Sequence, residues 1–310
     1  MAVRIFIDGE AGTTGLQIRD KLANAQGVEI ISLPAAERKS LEAKRALLAD
    51  VDFTILCLPD EAARQAAELI DSMGEAAPRV IDASSAHRVA TGWTYGFAEL
   101  LPGQAERIAN ARKVTNPGCH ATGAIALLRP LVEAGVLPKD APISLMSVSG
   151  FSGGGKSMIE AYESGRAPAF EHYGLALEHK HLPEIELYSG LSTRPVFVPS
   201  VGNFRQGMLV SLPLRLDSLP GRPSGVDLRA ALSAHYRGSR YVKVASAEES
   251  AAEPRIEPES LNGTNDLAIH VYANEARRQA VLIAKFDNLG KGASGAAVQN
   301  LNLMRGEADV

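Results

Sequence analysis

The stretch Val3–Leu22, VRIFIDGEAGTTGLQIRDKL, decides the fold. Val3–Ile7 is a short apolar run that reads as a buried strand, and Leu16–Ala25 reads as a helix. Between them Gly9, Gly12 and Gly15 stand three apart, with Thr13 and Thr14 in the same loop. Glycines let a backbone come close to a pyrophosphate, and the helix start that follows offers unpaired N–H groups to its charge. The spacing G-x-x-G-x-x-G departs from the commoner G-x-G-x-x-G. Its position between strand and helix is what favours a nucleotide site over an ordinary glycine turn.

Outward from this point, Glu29–Leu33, Val51–Leu58 and Arg79–Ala83 read as strands, and Leu41–Ala49 and Glu61–Met73 as helices. Strands alternating with helices predict right-handed βαβ units and a parallel sheet covered on both faces. The second half changes character. Ile143–Ser149, Val196–Val198, Met208–Leu216, Tyr241–Val244, Ala268–Ala273 and Gln279–Lys285 read as strands, several joined by turns or loops rather than helices. That pattern predicts an antiparallel or mixed sheet in an α+β domain. Gly292–Met304 reads as a final helix, and Leu216–Val226, with Pro220, Gly221, Pro223 and Gly225, as the loosest segment.

The 310 residues suit two domains at about 150 residues each. A net charge of −4 lacks the basic excess that a nucleic-acid backbone demands. Cys57 and Cys119 are the two cysteines, and neither lies in a CxxC pair, which excludes a disulfide framework and the usual structural zinc site. No apolar stretch approaches the ~18–20 residues of a membrane span, and the apolar run before Asp8 is too short for a signal peptide. A cytoplasmic protein is expected.

Three further features carry chemistry. After the second strand, in SLPAAERKS, Ser32, Arg38 and Lys39 stand where NAD sites place an acidic residue, so a 2′-phosphate and NADP are favoured. Cys119 follows Asn116-Pro117-Gly118 and opens the apolar helical run AIALLRPLVEAG. A helix start lowers a thiol's pKa and favours the nucleophilic thiolate, whereas Cys57, inside FTILCL, reads as buried and inert. His179 and His181 stand in HKHLPEIE, where one imidazole suffices for acid/base work beside Cys119, and no cluster completes a metal site. Glu184, three residues after His181, would orient that ring if the turn is helical. This favours His181 as the acid/base, with His179 nearer the substrate's anionic groups. The other five histidines show no such context. Gly150–Ser157 matches the P-loop pattern G-x-x-x-x-G-K-[ST], which points to a phosphotransferase built on Lys156, although a late Asp287 is a poor magnesium ligand for one. A redox sensor that binds NADP without turnover is the non-enzymatic alternative.

GEAGTTG at the start, DASSAHR at 82–88, NPGCHATG at 116–123, SGFSGGGKS at 149–157, HKHLPEIE at 179–186 and DNLGKGASGAAVQNLNLM at 287–304 occur together and in order. As a set they resemble the N-acetyl-γ-glutamyl-phosphate reductases, in their shorter bacterial form, over nearly the whole chain. The resemblance implies a Rossmann-type NADP domain over 1–118 completed by 288–310. It also implies an α+β substrate and oligomerisation domain over 119–287, a C-terminal helix returning to the first domain, and a homo-oligomer, dimer or tetramer. It implies reduction of N-acetyl-L-glutamyl 5-phosphate to the 5-semialdehyde in arginine biosynthesis, through a thioester on Cys119. In this reading Ser84, Ser85 and Asn288 lie against the cofactor, and Ser149, Ser152, Gly153 and Gly154 receive the substrate phosphate, which turns the P-loop match into a substrate-side loop. Arg205 is the candidate substrate anchor, although Gln206 separates it from the glycine that directly follows the arginine in the longer enzymes. The related aspartate-semialdehyde dehydrogenases share the cysteine but carry their histidine in a different motif.

Overall fold

A computed structural model describes residues 2–23, 25–38 and 40–307. The chain divides into two compact units, one of residues 1–98, 103–117 and 293–310, the other of 99–102 and 118–292.

The first unit runs β1 (Val3–Asp8), α1 (Thr13–Leu22), β2 (Val28–Ile31), α2 (Leu41–Leu48), β3 (Phe53–Leu56), α3 (Asp60–Asp71), β4 (Arg79–Asp82), β5 (Thr94–Tyr95), α4 (Gln104–Asn110) and β6 (Lys113–Thr115). Its six strands lie in the order β2-β1-β3-β4-β6-β5, all parallel. Alternation along β1 shows why both faces are covered. Ile5 and Ile7 pack with Ile18 and Leu22 of α1, while Phe6 packs with Leu48 of α2 and Ile70 of α3. α1 begins at Thr13, earlier than the apolar periodicity indicates, because its first turn is glycine and threonine.

The second unit runs α5 (Cys119–Glu133), β7 (Ser144–Gly150), α6 (Gly155–Glu163), β8 (Phe170–His172), α7 (Leu182–Ser189), β9 (Val196–Gly202), β10 (Met208–Arg215), α8 (Gly225–His235), β11 (Val242–Val244), α9 (Ala247–Ala252), β12 (Leu267–Asn274) and β13 (Gln279–Phe286). Its seven strands form a mixed sheet in the order β11-β12-β13-β10-β7-β9-β8. β7 pairs parallel with β9 and β11 with β12, and the remaining pairs are antiparallel. α5 is buried along almost its whole length and packs on β10 and β13. Part of the segment read as loose is ordered. Ser224 and Asp227 form a reciprocal capping box that starts α8 at Gly225.

The chain ends with α10 (Gly295–Met304), preceded by a single wide turn over Gly290–Ser294. Ala297, Leu301 and Met304 lie in the same core as Ile5 and Ile18, so this last helix belongs to the first unit. Asn300 donates to the Gly96 carbonyl at 2.9 Å and to Asn116 at 3.2 Å, which ties α10 to the end of β6.

Candidate active site

In the first unit the site grows from the carboxyl ends of β1, β3 and β4, where parallel sheets place their ligands. Gly9 adopts φ +92°, and a Cβ there would run into the Cys57 carbonyl. A Cβ on Gly15 would run into the Gly9 carbonyl. Gly12 is different: its φ of −78° suits any residue, and a Cβ there would meet Gly9 O at an ordinary 3.4 Å. Two of the three glycines are therefore demanded by the fold, and the third leaves space that the protein does not fill. No side chain caps α1, whose first turn holds no acid, so its amide groups face that space. The loop fits a nucleotide pyrophosphate.

A cavity of about 330 Å³ adjoins the loop, lined by Asp8, Gly9, Glu10, Ala11, Leu33, Arg38 and Lys44 among others. Arg38, expected to read a 2′-phosphate, is paired here with Glu10 at 2.6 Å. Lys39 lies outside the described residues. Ser84 and Ser85 follow β4 and hold its turn together. Asp82 accepts from the Ser84 hydroxyl at 2.8 Å and sits 2.6 Å from His87 Nδ1, while Ser85 donates to Asp60 at 2.8 Å.

The second unit holds the cysteine. Cys119 is the first residue of α5, with Gly118 as its cap, so the thiol stands at a helix N-terminus. The Gly118 N–H donates to Glu184 at 3.1 Å. A Cβ on Gly292 would stand 2.9 Å from that of Cys119, so glycine there leaves the cysteine room. Cys57, just beyond β3, has its thiol pushed up to about 12, chiefly by burial, and is unreactive at neutral pH.

His120, His179 and His181 form one cluster. The His179 and His181 ring centres are 4.7 Å apart, and both lie about 5.5 Å from that of His120. The backbone N–H of His181 donates to His179 Nδ1 at 3.1 Å. Nothing in the sequence around His120 marks it, yet this ring bonds to the Ser147 hydroxyl and, at 2.7 Å, to the Tyr173 hydroxyl. Burial, aided by His179 and Lys180, pushes the His120 pKa down to about 3 and keeps the ring neutral. Burial, with the charge of Cys119, also raises Tyr173 above the ordinary tyrosine range, so its hydroxyl stays protonated. One sequence signal was available. Ser147 and Ser149 sit two apart on the buried face of β7, and buried hydroxyls on a strand need partners.

The segment matching a P-loop is not one. Residues 151–154 coil into a tight turn, and the N–H groups of Gly150, Phe151 and Ser152 donate to carbonyls of Gly207, Phe204 and Arg205. The first three amides of the segment are thus spent inside the protein, and Lys156 is exposed on α6. What gathers around this turn is Ser149, Ser152, Gly153 and Asn288. Asn288 donates to Ser152 at 3.1 Å and accepts from Gly207 N at 2.8 Å, and a Cβ on Gly153 would lie 3.1 Å from the Ser149 hydroxyl. Asn288 thus stands among the residues read as substrate-side, in the second unit. Gly154 precedes α6 directly. Arg205 is exposed and paired with Glu163, and Gln206 turns inward to Asp287. Among the described residues no three His, Cys, Asp or Glu side chains are grouped to hold a metal ion, and no helix is long and apolar enough to cross a membrane.

Comparison with known proteins agrees with this layout. Residues 4–111 match the profile of the semialdehyde dehydrogenase NAD binding domain, and residues 119–288 that of the semialdehyde dehydrogenase dimerisation domain. N-acetyl-γ-glutamyl-phosphate reductase of Burkholderia cenocepacia is 52% identical over 97% of both chains. The enzyme of that name from Brucella ovis is 51% identical over 99% of this chain and 100% of its own. In structure, aspartate-semialdehyde dehydrogenase of Francisella tularensis superposes with TM-score 0.73 at 14% identity, covering 98% of this chain and 100% of that one. Aspartate-semialdehyde dehydrogenase II of Vibrio cholerae gives 0.72 at 13% identity, covering 98% of each. A NAD-type nucleotide domain, a dimerisation-type domain carrying a cysteine at a helix start, and half-identical relatives along its whole length place this chain in the N-acetyl-γ-glutamyl-phosphate reductase family of semialdehyde dehydrogenases.

Proposed function

We propose that the protein reduces N-acetyl-L-glutamyl 5-phosphate to N-acetyl-L-glutamate 5-semialdehyde with NADPH, releasing phosphate, as a cytoplasmic enzyme of arginine biosynthesis. The observation that carries the reading is Cys119 at the N-terminus of α5, with His179, His181 and a neutral His120 clustered in the same unit. The Cys119 thiolate attacks the acyl carbon, the bond to the phosphate oxygen breaks, and a thioester forms. Amide groups at the start of α5 stabilise the oxyanion of this step. When bound, NADPH supplies the hydride that reduces the thioester. His181 gives a proton to the oxygen of the resulting thiohemiacetal and takes it back as the C–S bond breaks, which frees the aldehyde and restores the thiolate. His179 faces the substrate's anionic groups.

Ser149, Ser152, Gly153 and Gly154 hold the transferring phosphate, and Arg205 anchors the substrate's distal end. Gly9, Gly12, Thr13, Thr14 and Gly15 cradle the pyrophosphate, with Ser84, Ser85 and Asn288 beside the cofactor. Arg38 and Lys39 select the 2′-phosphate, in a nucleotide domain of residues 1–118 and 288–310 and a catalytic domain of 119–287. The dimerisation-domain match and the exposed Met146 and Val196 of the second sheet support a homodimer.

The test is the reverse reaction, phosphate-dependent NADP reduction by N-acetylglutamate 5-semialdehyde. Wild-type enzyme turns over, and Cys119→Ser loses this turnover with its melting temperature nearly unchanged. Substantial turnover by the serine variant refutes the covalent mechanism, and NADPH binding without turnover by the wild type would leave a sensor.

A further inference from the structure

The loop of the nucleotide site carries its own anion. Glu10, inside GEAGTTG, turns its carboxylate onto three donors, Arg19 of α1 and Ser32 and Arg38 of the segment between β2 and α2. Oε1 receives Arg38 Nη2 at 2.6 Å, and Oε2 receives the Ser32 hydroxyl at 2.8 Å and Arg19 Nη1. Arg19 also donates to Ser32 at 2.9 Å, so the donors form one connected set. The Glu10 side chain is only 12% exposed, whereas those of Arg19 and Arg38 are 45% and 46% exposed. Partly exposed ion pairs add little to stability, so fold stability is a weak reason for three donors to converge on one carboxylate. Two guanidinia and a hydroxyl are, however, the donor set that takes a phosphate monoester. They sit beside the glycine loop, and Glu10 and Arg38 line the cavity next to it.

We propose that Glu10 is an internal stand-in for the 2′-phosphate of NADP(H), so that this cofactor enters by exchanging one anion for another. The inference rests on the NADP reading above and adds two residues to it. Arg19, which the sequence does not mark, is a phosphate reader together with Arg38 and Ser32. Glu10 is their occupant when no phosphate is there, and it keeps the arginines gathered while opposing any ligand that must displace it. A ligand without the 2′-phosphate has nothing to offer those donors and leaves Glu10 where it is. Glu10 therefore sets the affinity for the phosphorylated cofactor without touching that for the unphosphorylated one.

The test is calorimetric titration of the full chain with 2′,5′-ADP and 5′-AMP, which report the phosphate contact without turnover. Glu10→Gln keeps the shape and removes the charge, and it should raise affinity for 2′,5′-ADP at least threefold while 5′-AMP binding stays within twofold. Arg19→Met should lower 2′,5′-ADP affinity at least threefold and also spare 5′-AMP; this second variant keeps the proposal testable if Glu10→Gln fails to fold. If the wild type prefers 2′,5′-ADP but Glu10→Gln gains less than threefold, or Arg19→Met loses less than threefold, the exchange is refuted and the NADP reading stands. If the wild type binds both ligands equally, the NADP reading falls and takes this inference with it.

Discussion

The N–H of Gly118 donates to the buried carboxylate of Glu184 at 3.1 Å. This bond links the start of α5, where Cys119 stands, to α7, the helix that follows His179 and His181. Loss of the acceptor leaves a buried amide unpaired, which costs about 1–3 kcal/mol. Glu184→Ala should therefore lose that amount in urea unfolding. Glu184→Gln keeps a carbonyl oxygen for the bond and should stay within about 1 kcal/mol of the wild type. Equal loss in both would mean that charge rather than the bond is what matters.

Two of the loop glycines, Gly12 and Gly15, should separate by experiment. Gly15→Ala places a methyl against the Gly9 carbonyl and should lower the melting temperature by several degrees. Gly12→Ala meets only an ordinary contact, so the protein should melt normally. It should nonetheless bind NADPH at least tenfold more weakly in a fluorescence titration, because the methyl occupies space meant for the pyrophosphate. Normal NADPH binding by Gly12→Ala would remove the loop from the cofactor site.

His179 and His181 are 4.7 Å apart but assigned different work. His181→Asn should remove the imidazole ionisation from the pH profile of kcat. His179→Asn should keep that ionisation and raise KM for the acyl phosphate. The opposite pattern exchanges their roles.

His120 makes stability pH-dependent, and the sign follows from its depressed pKa. The folded ring resists protonation down to about 3, whereas the unfolded chain takes up a proton near 6.5. Below about 6.5 the unfolded state binds more protons, so stability falls as the pH falls, by up to ~1.4 kcal/mol per pH unit. Between pH 7 and pH 5 the wild type should lose roughly 2 kcal/mol more in urea unfolding than His120→Gln. Equal losses in the two proteins would show that this ring does not titrate with unfolding.

Much was legible in the residues alone because the signals were local. A β-prone run, a spaced glycine turn and an amphipathic helix announce a βαβ unit through side-chain periodicity. Cys119 declares itself by standing just after a Pro-Gly at the start of a long apolar helix. Other elements had no such pattern. α4 is short, β5 and β6 have two and three residues, and α8 hides behind a proline- and glycine-rich stretch until Ser224 and Asp227 cap it.

Tertiary structure alone decided what each polar group meets, because a hydrogen bond depends on distance in space and not on spacing in the chain. Gly150–Ser157 matches a phosphate loop in letters. In the fold, residues 204–207 of a distant segment take the N–H groups of its first three residues. His120 looked incidental until β7 and Tyr173 closed around it and burial made it neutral. The sequence marks Arg38 after β2 as a cation for a 2′-phosphate, and only the fold brings Glu10 and Arg19 onto the same spot. Composition and periodicity select the sheet and the helices, since burial is a property of local pattern. Partners such as those of His120 and Arg38 come from segments far apart in the chain, which only the folded backbone sets side by side.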